Sequence, residues 1–85
     1  MKPYQPIDCN FYDYLEAQAV RRVINTIIIQ DENGEQTITA RIDDFFIKKE
    51  ASGKVEYMKL DNGQEIRLDT IISVNNQVLL GFCSI

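Results

Sequence analysis

Apolar positions change period once along the chain, near residue 23. Before that point Phe11 or Tyr12, Leu15 and Ala19 recur at helical spacing and form a narrow apolar stripe. Asp8 is placed to cap such a helix, its side-chain oxygen accepting from a backbone N–H of the first turn. Ile7 then lies one residue before the cap and Tyr12 four after it, the spacing of a hydrophobic staple. Asn10 followed by Asp13 resembles a capping box and offers an overlapping start, so the helix is predicted to begin between Asp8 and Asn10. Arg21 and Arg22 close it, where cations suit the C-terminal dipole. Asp13 and Glu16, three residues apart, share another side of this helix, which Ala17 and Val20 continue. Exposed carboxylates on a helix serve solubility by default.

From Val23 onward the pattern becomes that of strands. Val23 to Ile29 is rich in β-branched residues and apolar on both sides toward its end, which predicts a strand covered by the barrel interior on one face and the helix on the other. Asp31 to Gly34 is a turn. The returning strand alternates, with Ile38, Ala40 and Ile42 inward and Thr37, Thr39 and Arg41 outward. If Phe45 and Ile47 also point inward, the inward set has moved from even to odd positions. That shift requires a bulge or sharp bend near Asp43 and Asp44. Lys48 to Gly53 reads as a polar connection and Lys54 to Leu60 as a third strand, with Val55/Tyr57 and Met58/Leu60 equally eligible for burial. A second Asn-Gly turn at Asn62-Gly63 precedes a strand from Gln64 to Asp69, with Ile66 and Leu68 inward. Asn75-Asn76 is a turn, and Val78 to Phe82 a last strand.

One helix and about five antiparallel strands in so short a chain predict a mainly β, α+β fold, with the N-terminal helix packed on a small, closed or nearly closed barrel. A single domain over residues 1–85 is expected, with an extended lead-in at 1–7, the helix at 8–20 and the barrel at 21–85. Period and length leave the Sm-like, SH3-like and OB barrels undivided.

Charge and composition narrow the function classes. The net charge of −4 argues against generic nucleic-acid binding, which begins from a basic footprint, and favours approach to a basic surface. The longest apolar run is Ile27-Ile28-Ile29, too short for a membrane span, and the start of the chain has no apolar core of a signal peptide, so a cytoplasmic protein is expected. Cys9 and Cys83, without a secretory signal, are expected to be buried thiols.

Candidate chemistry is sparse. The chain has no histidine, which removes the commonest general base and the commonest metal ligand. Its four glycines stand singly, so no phosphate-cradling loop exists. Asp43-Asp44 is a possible acid–base or metal pair, but no third ligand or companion motif accompanies it and a polar bulge explains it. No catalytic residue, cofactor or metal is therefore expected. Single-stranded RNA binding needs aromatic platforms in a positive groove. Phe45, Phe46 and Tyr57 fall where strand burial accounts for them, and the cations are scattered. An RNA-binding barrel is the alternative reading.

The string Tyr4-Gln5-Pro6-Ile7, then Cys9, Tyr12-Asp13 and Leu15-Glu16, resembles the opening of the Rho-binding antiterminator (Rof) family of small acidic bacterial proteins. Val55-Glu56-Tyr57 and Arg67-Leu68-Asp69 with Ile71 and Ser73 follow in the same order, so the resemblance covers nearly the whole chain. It implies an N-terminal helix on a five-stranded Sm-like barrel. It also implies a non-enzymatic protein that binds the N-terminal RNA-binding region of the termination factor Rho and keeps RNA from its primary site. Carried over by position, Asp13 and Glu16 are the expected Rho-binding residues, with Asp8, Asn10 and Tyr14 around them. Tyr12 and Leu15 are expected to pack. Arg21 and Arg22 depart from the family pattern. The expected partner is Rho, the free protein being a monomer, with no direct nucleic-acid or membrane contact.

Overall fold

A computed structural model describes residues 6–51 and 53–79. Tyr4 and Gln5 of the expected lead-in, Cys83, and the end of the last expected strand lie outside these residues.

Helix α1 spans Cys9–Arg21, with Asp8 as its N-cap: the Phe11 N–H donates to Asp8 Oδ2 at 3.1 Å. The other end stops because Arg22 adopts a left-handed conformation (φ 56°), its N–H donating to the Ala19 carbonyl. Phe11 and Leu15 are buried, Ala19 is half-buried, and Gln18 joins them on the inward side. The staple pair is present on its proper side, since Ile7 is buried and Tyr12 packs against the same core.

The remainder forms one antiparallel sheet of six strands: β1 (Ile24–Asp31), β2 (Gly34–Glu50), β3 (Gly53–Leu60), β4 (Glu65–Arg67), β5 (Ile71–Val74) and β6 (Gln77–Val78). Their spatial order is β4-β3-β2-β1-β5-β6. The fold is thus mainly β with one helix, as the pattern predicts. The sheet is not closed: among the described residues no pairing joins β4 to β6. It curls instead. A 3-10 turn at Leu68–Thr70 carries the chain from β4 to β5 and touches both β1 and β3.

Strand β2 makes that curvature possible. Over 17 residues it pairs first with β1 and then with β3. Ile42 lies opposite Leu60 and Asp44 opposite Lys59, so Asp43 is the extra residue of a bulge where the change of phase requires one. Before it Ile38, Ala40 and Ile42 are buried; after it Phe45 packs on the core, while Ile47 is 60% exposed.

Several expectations are corrected. Lys48 to Glu50 is strand, not connection, and pairs with Gly53 to Val55. Both sides of this tip are largely solvated, so no hydrophobic alternation marks it. In β3 it is Met58 and Leu60 that enter the core; Val55 is buried outside that cluster and Tyr57 faces outward. The outward side of β1 is not covered by the helix: Ile24 is 56% exposed, because α1 joins the same core as Ile27 and Ile29. Ile71–Val74, which the sequence pattern does not mark as a strand, pairs with β1. Cys9 is exposed rather than buried, lying at the first helical position on the side away from the core.

One cluster unites the layers. Phe11 and Leu15 of α1 meet Ile27, Ile29, Ile38, Ile42, Met58, Leu60, Leu68 and Val74 of the sheet. The helix is held to the sheet by its apolar side, which leaves Asp13, Glu16, Ala17 and Val20 facing out.

Candidate functional site

A helix turned by 100° per residue cannot bury Leu15 and Phe11 without exposing the residues opposite them. Asn10, Asp13, Glu16 and Ala17 are all exposed, and Val20 is 83% exposed. No ion pair among the described residues engages Asp13 or Glu16. Among the described residues the ion pairs are Arg41–Asp61 at 3.7 Å, Lys48–Glu65 at 2.8 Å and Arg67–Asp69 at 2.7 Å, all on the sheet side.

The other two predicted site residues serve the fold directly. Asp8 is half-buried and accepts the capping bond described above. Tyr14 is half-buried, tilted against Phe11 with ring centroids 6.1 Å apart, and its hydroxyl accepts from Asn75 Nδ2 at 3.2 Å. Asp8 and Tyr14 therefore border the exposed face, whereas Asn10, Asp13 and Glu16 occupy it.

Glu56 is added by the sheet. Its strand register sets it opposite Ile47, at the edge of the surface that the helix covers. It lines a cleft with Pro6, Ile7, Cys9, Tyr12 and Asp13. Tyr12 forms a wall of that cleft and packs on Phe45, centroids 5.3 Å apart. Its phenol is pushed above the ordinary tyrosine value, first by burial and then by the negative charges of Glu56 and Glu16. Two carboxylates, Glu56 and Glu16, thus act on one phenol, and a third, Asp13, lines the same cleft. Glu56 stands in the chain between Val55 and Tyr57 with nothing nearby to associate it with the helix; only the β2–β3 register does so.

Behind the face lies a second feature that periodicity does not reveal. Gln18 Nε2 and Asn75 Nδ2 both donate to Asn25 Oδ1, at 2.8 and 2.7 Å. Asn25 is fully buried, and its own amide donates to the Val23 carbonyl at 3.0 Å. The Thr26 N–H donates to Asn75 Oδ1 at 2.8 Å, and the Asn75 N–H returns a bond to the Thr26 carbonyl. The group joins α1, β1 and the turn between β5 and β6. The one sequence signal for it is Asn25 itself, a polar residue in the inward phase of Ile27 and Ile29.

The opposite side of the sheet carries the other aromatic group. Phe46 and Tyr57 face each other across β2 and β3 with centroids 5.4 Å apart and planes 9° from parallel. Lys48 Nζ lies 5.5 Å from the Phe46 centroid and 4.9 Å from that of Tyr57. The Tyr57 hydroxyl donates to Glu50 at 2.7 Å, and that bond, with burial and the charge of Glu50 behind it, raises the phenol pKa. Asp43 and Asp44 are exposed at the bulge, and Asp44 accepts from the Phe45 N–H. Among the described residues no group of three or more potential ligands is arranged to hold a metal, and no helix is long and apolar enough to cross a membrane.

The face therefore sets Asp13 and Glu16, outside the ion pairs formed among the described residues, beside an aromatic cleft and over a hydrogen-bonded amide group. A family model described as modulator of Rho-dependent transcription termination (ROF) matches residues 6–79. No curated protein matches the chain.

Proposed function

Because the chain belongs to the ROF family of modulators of Rho-dependent transcription termination, we propose that it inhibits Rho by laying the acidic face of α1 on the basic N-terminal RNA-binding region of that factor. RNA is then kept from loading both by the volume of the bound protein and by its negative field. The protein acts as a cytoplasmic monomer, without cofactor or chemical step.

The observation that carries this reading is the isolation of Asp13 and Glu16. Exposed charge that the fold itself does not neutralise is available to a partner, and opposite charges across an interface speed encounter and fix its register. Asn10 and Glu56 extend the contact on either side, with Asp8 and Tyr14 at its borders. Arg21 lies in the last turn of the same helix, so the docking footprint lies toward the N-terminal two turns.

Direct RNA binding fits less well. The Phe46 and Tyr57 rings are stacked on each other and lie beneath Lys48, so this pair is engaged within the fold. Lys48 is in turn paired with Glu65, which neutralises the cation that lies over these rings. The two readings separate experimentally. The variant Asp13→Lys with Glu16→Lys, confirmed as folded by circular dichroism, is titrated against Rho, while the unaltered protein is tested for retention of single-stranded RNA in the absence of Rho. Loss of Rho binding without RNA retention supports docking. Undiminished affinity for Rho removes the helix face, and salt-sensitive RNA retention by the protein alone favours the alternative.

A further inference from the structure

Helix α1 is gripped from two sides. On one, Tyr12 rests on Phe45. On the other, Tyr14 and Gln18, one turn apart, reach Asn75 and Asn25. The two kinds of contact do different things. Apolar burial resists separation but is non-directional, so it restrains rotation of a helix about its axis only weakly. Hydrogen bonds weaken steeply as their angle departs from linear, and they resist that rotation.

We infer that the Asn25–Asn75 amide pair is a positioning device for the docking face, with Tyr14 and Gln18 as its two points of purchase on the helix. The inference rests on the docking reading above. Every polar position of the pair is used: Asn25 Oδ1 accepts two bonds, the Asn75 amide donates two, and Asn75 Oδ1 accepts from the Thr26 N–H. Asn75 is held at φ 52°, a conformation that asparagine tolerates better than most residues, so the backbone presents its amide toward the helix without dependence on loop packing. The reach matters because Asp13 is the chain neighbour of Tyr14. Helical side chains stand about 5–6 Å from the axis, so a roll of about 20° moves a carboxylate by about 2 Å. A preorganised contact tolerates about 0.5 Å and 10–20°. Loss of the polar grips is therefore felt at the acidic face even though no charge has changed.

The test is a thermodynamic cycle with purified Rho as the probe, each affinity corrected for folded fraction. One arm carries Tyr14→Phe with Gln18→Leu, the second Asp13→Asn with Glu16→Gln, and the third all four substitutions. The first arm is expected to weaken binding about tenfold, and the third to be little weaker than the second, because the amide pair acts mainly by placing those carboxylates. Additive losses overturn the inference, as does a first arm with wild-type affinity beside a weakened second arm; the docking reading survives both. A second arm with wild-type affinity removes the docking reading and the inference together. Tyr14→Phe alone, which deletes one hydroxyl and leaves Asn75 bonded to Asn25, repeats the cycle should Gln18→Leu not fold. Residual dipolar couplings of the helix amides relative to the sheet read the roll without Rho, and unchanged couplings in the first-arm protein overturn the inference.

Discussion

The acidic face of α1 and the outer face of β2, β3 and β4 both carry charge, and they treat it in opposite ways. On the sheet, Lys48 pairs with Glu65, Arg67 with Asp69, and Glu50 takes the Tyr57 hydroxyl. The charges in these pairs are closed on each other and serve the fold. On the helix, Asp13 and Glu16 are exposed and have no such partner among the described residues. A chain with a net charge of −4 has acids to spare, and on α1 two of them stand exposed three residues apart, outside the ion pairs formed among the described residues. The difference separates charge that holds a structure together from charge that the structure holds out.

That contrast breaks most readily at the helix. Charge reversal of Asp13 and Glu16 is expected to cost about 2–5 kcal/mol of affinity for Rho, measured by titration, while leaving unfolding by denaturant nearly unchanged. Glu65→Gln, which removes an acid from the closed set, is expected to leave that affinity as it was. Equal losses from the two would erase the distinction.

Core changes at the same helix are expected to show the converse. Leu15 is fully buried, and Leu15→Ala should lower unfolding free energy by about 2–5 kcal/mol in urea melts. Affinity per folded molecule should change far less than it does on charge reversal. A smaller effect follows from the cap: Asp8→Ala should cost about 1 kcal/mol of stability by the same melts and fray the first turn.

The smallest effects concern the phenols. Tyr12 and Tyr57 both hold their protons more tightly in the folded chain than at the usual tyrosine value of 10.0. The folded state then binds more protons than the unfolded state above that value, so their contribution to stability is complete below it and is lost as pH rises beyond it. Ultraviolet titration of phenolate should show both ionising late. Glu56→Gln should bring Tyr12 closer to normal and leave Tyr57 unmoved; an unmoved Tyr12 would mean that Glu56 does not share the field of the helix.

How much of this was legible in the sequence follows from the range of each interaction. The Asp8 cap spans three residues and the Asp43 bulge is a break in a local alternation, so both are written where they occur. The facing of β3 was undecidable because apolar residues stand on both of its sides and only the sheet decides which enters the core. Strand β5 has four residues, and its partner β1 lies more than forty positions earlier, so no local pattern announces it. The acidic pair was legible as a pair because a helix places residues three apart together. Its neighbour Glu56 and its support, Gln18–Asn25–Asn75, were not, since each depends on strands or turns distant in the chain.

Asp43 has a consequence for how such a chain tolerates insertion and deletion. The parity of half a strand rests on that one residue: even-numbered Ile38, Ala40 and Ile42 are buried before it, and odd-numbered Phe45 packs on the core after it. Removing it would exchange inside for outside from Asp44 to Glu50, turning Phe45 to solvent and Phe46 to the core. Length is thus under tighter restraint at this position than identity, and a polar residue of no evident chemistry keeps count for the rest of the strand.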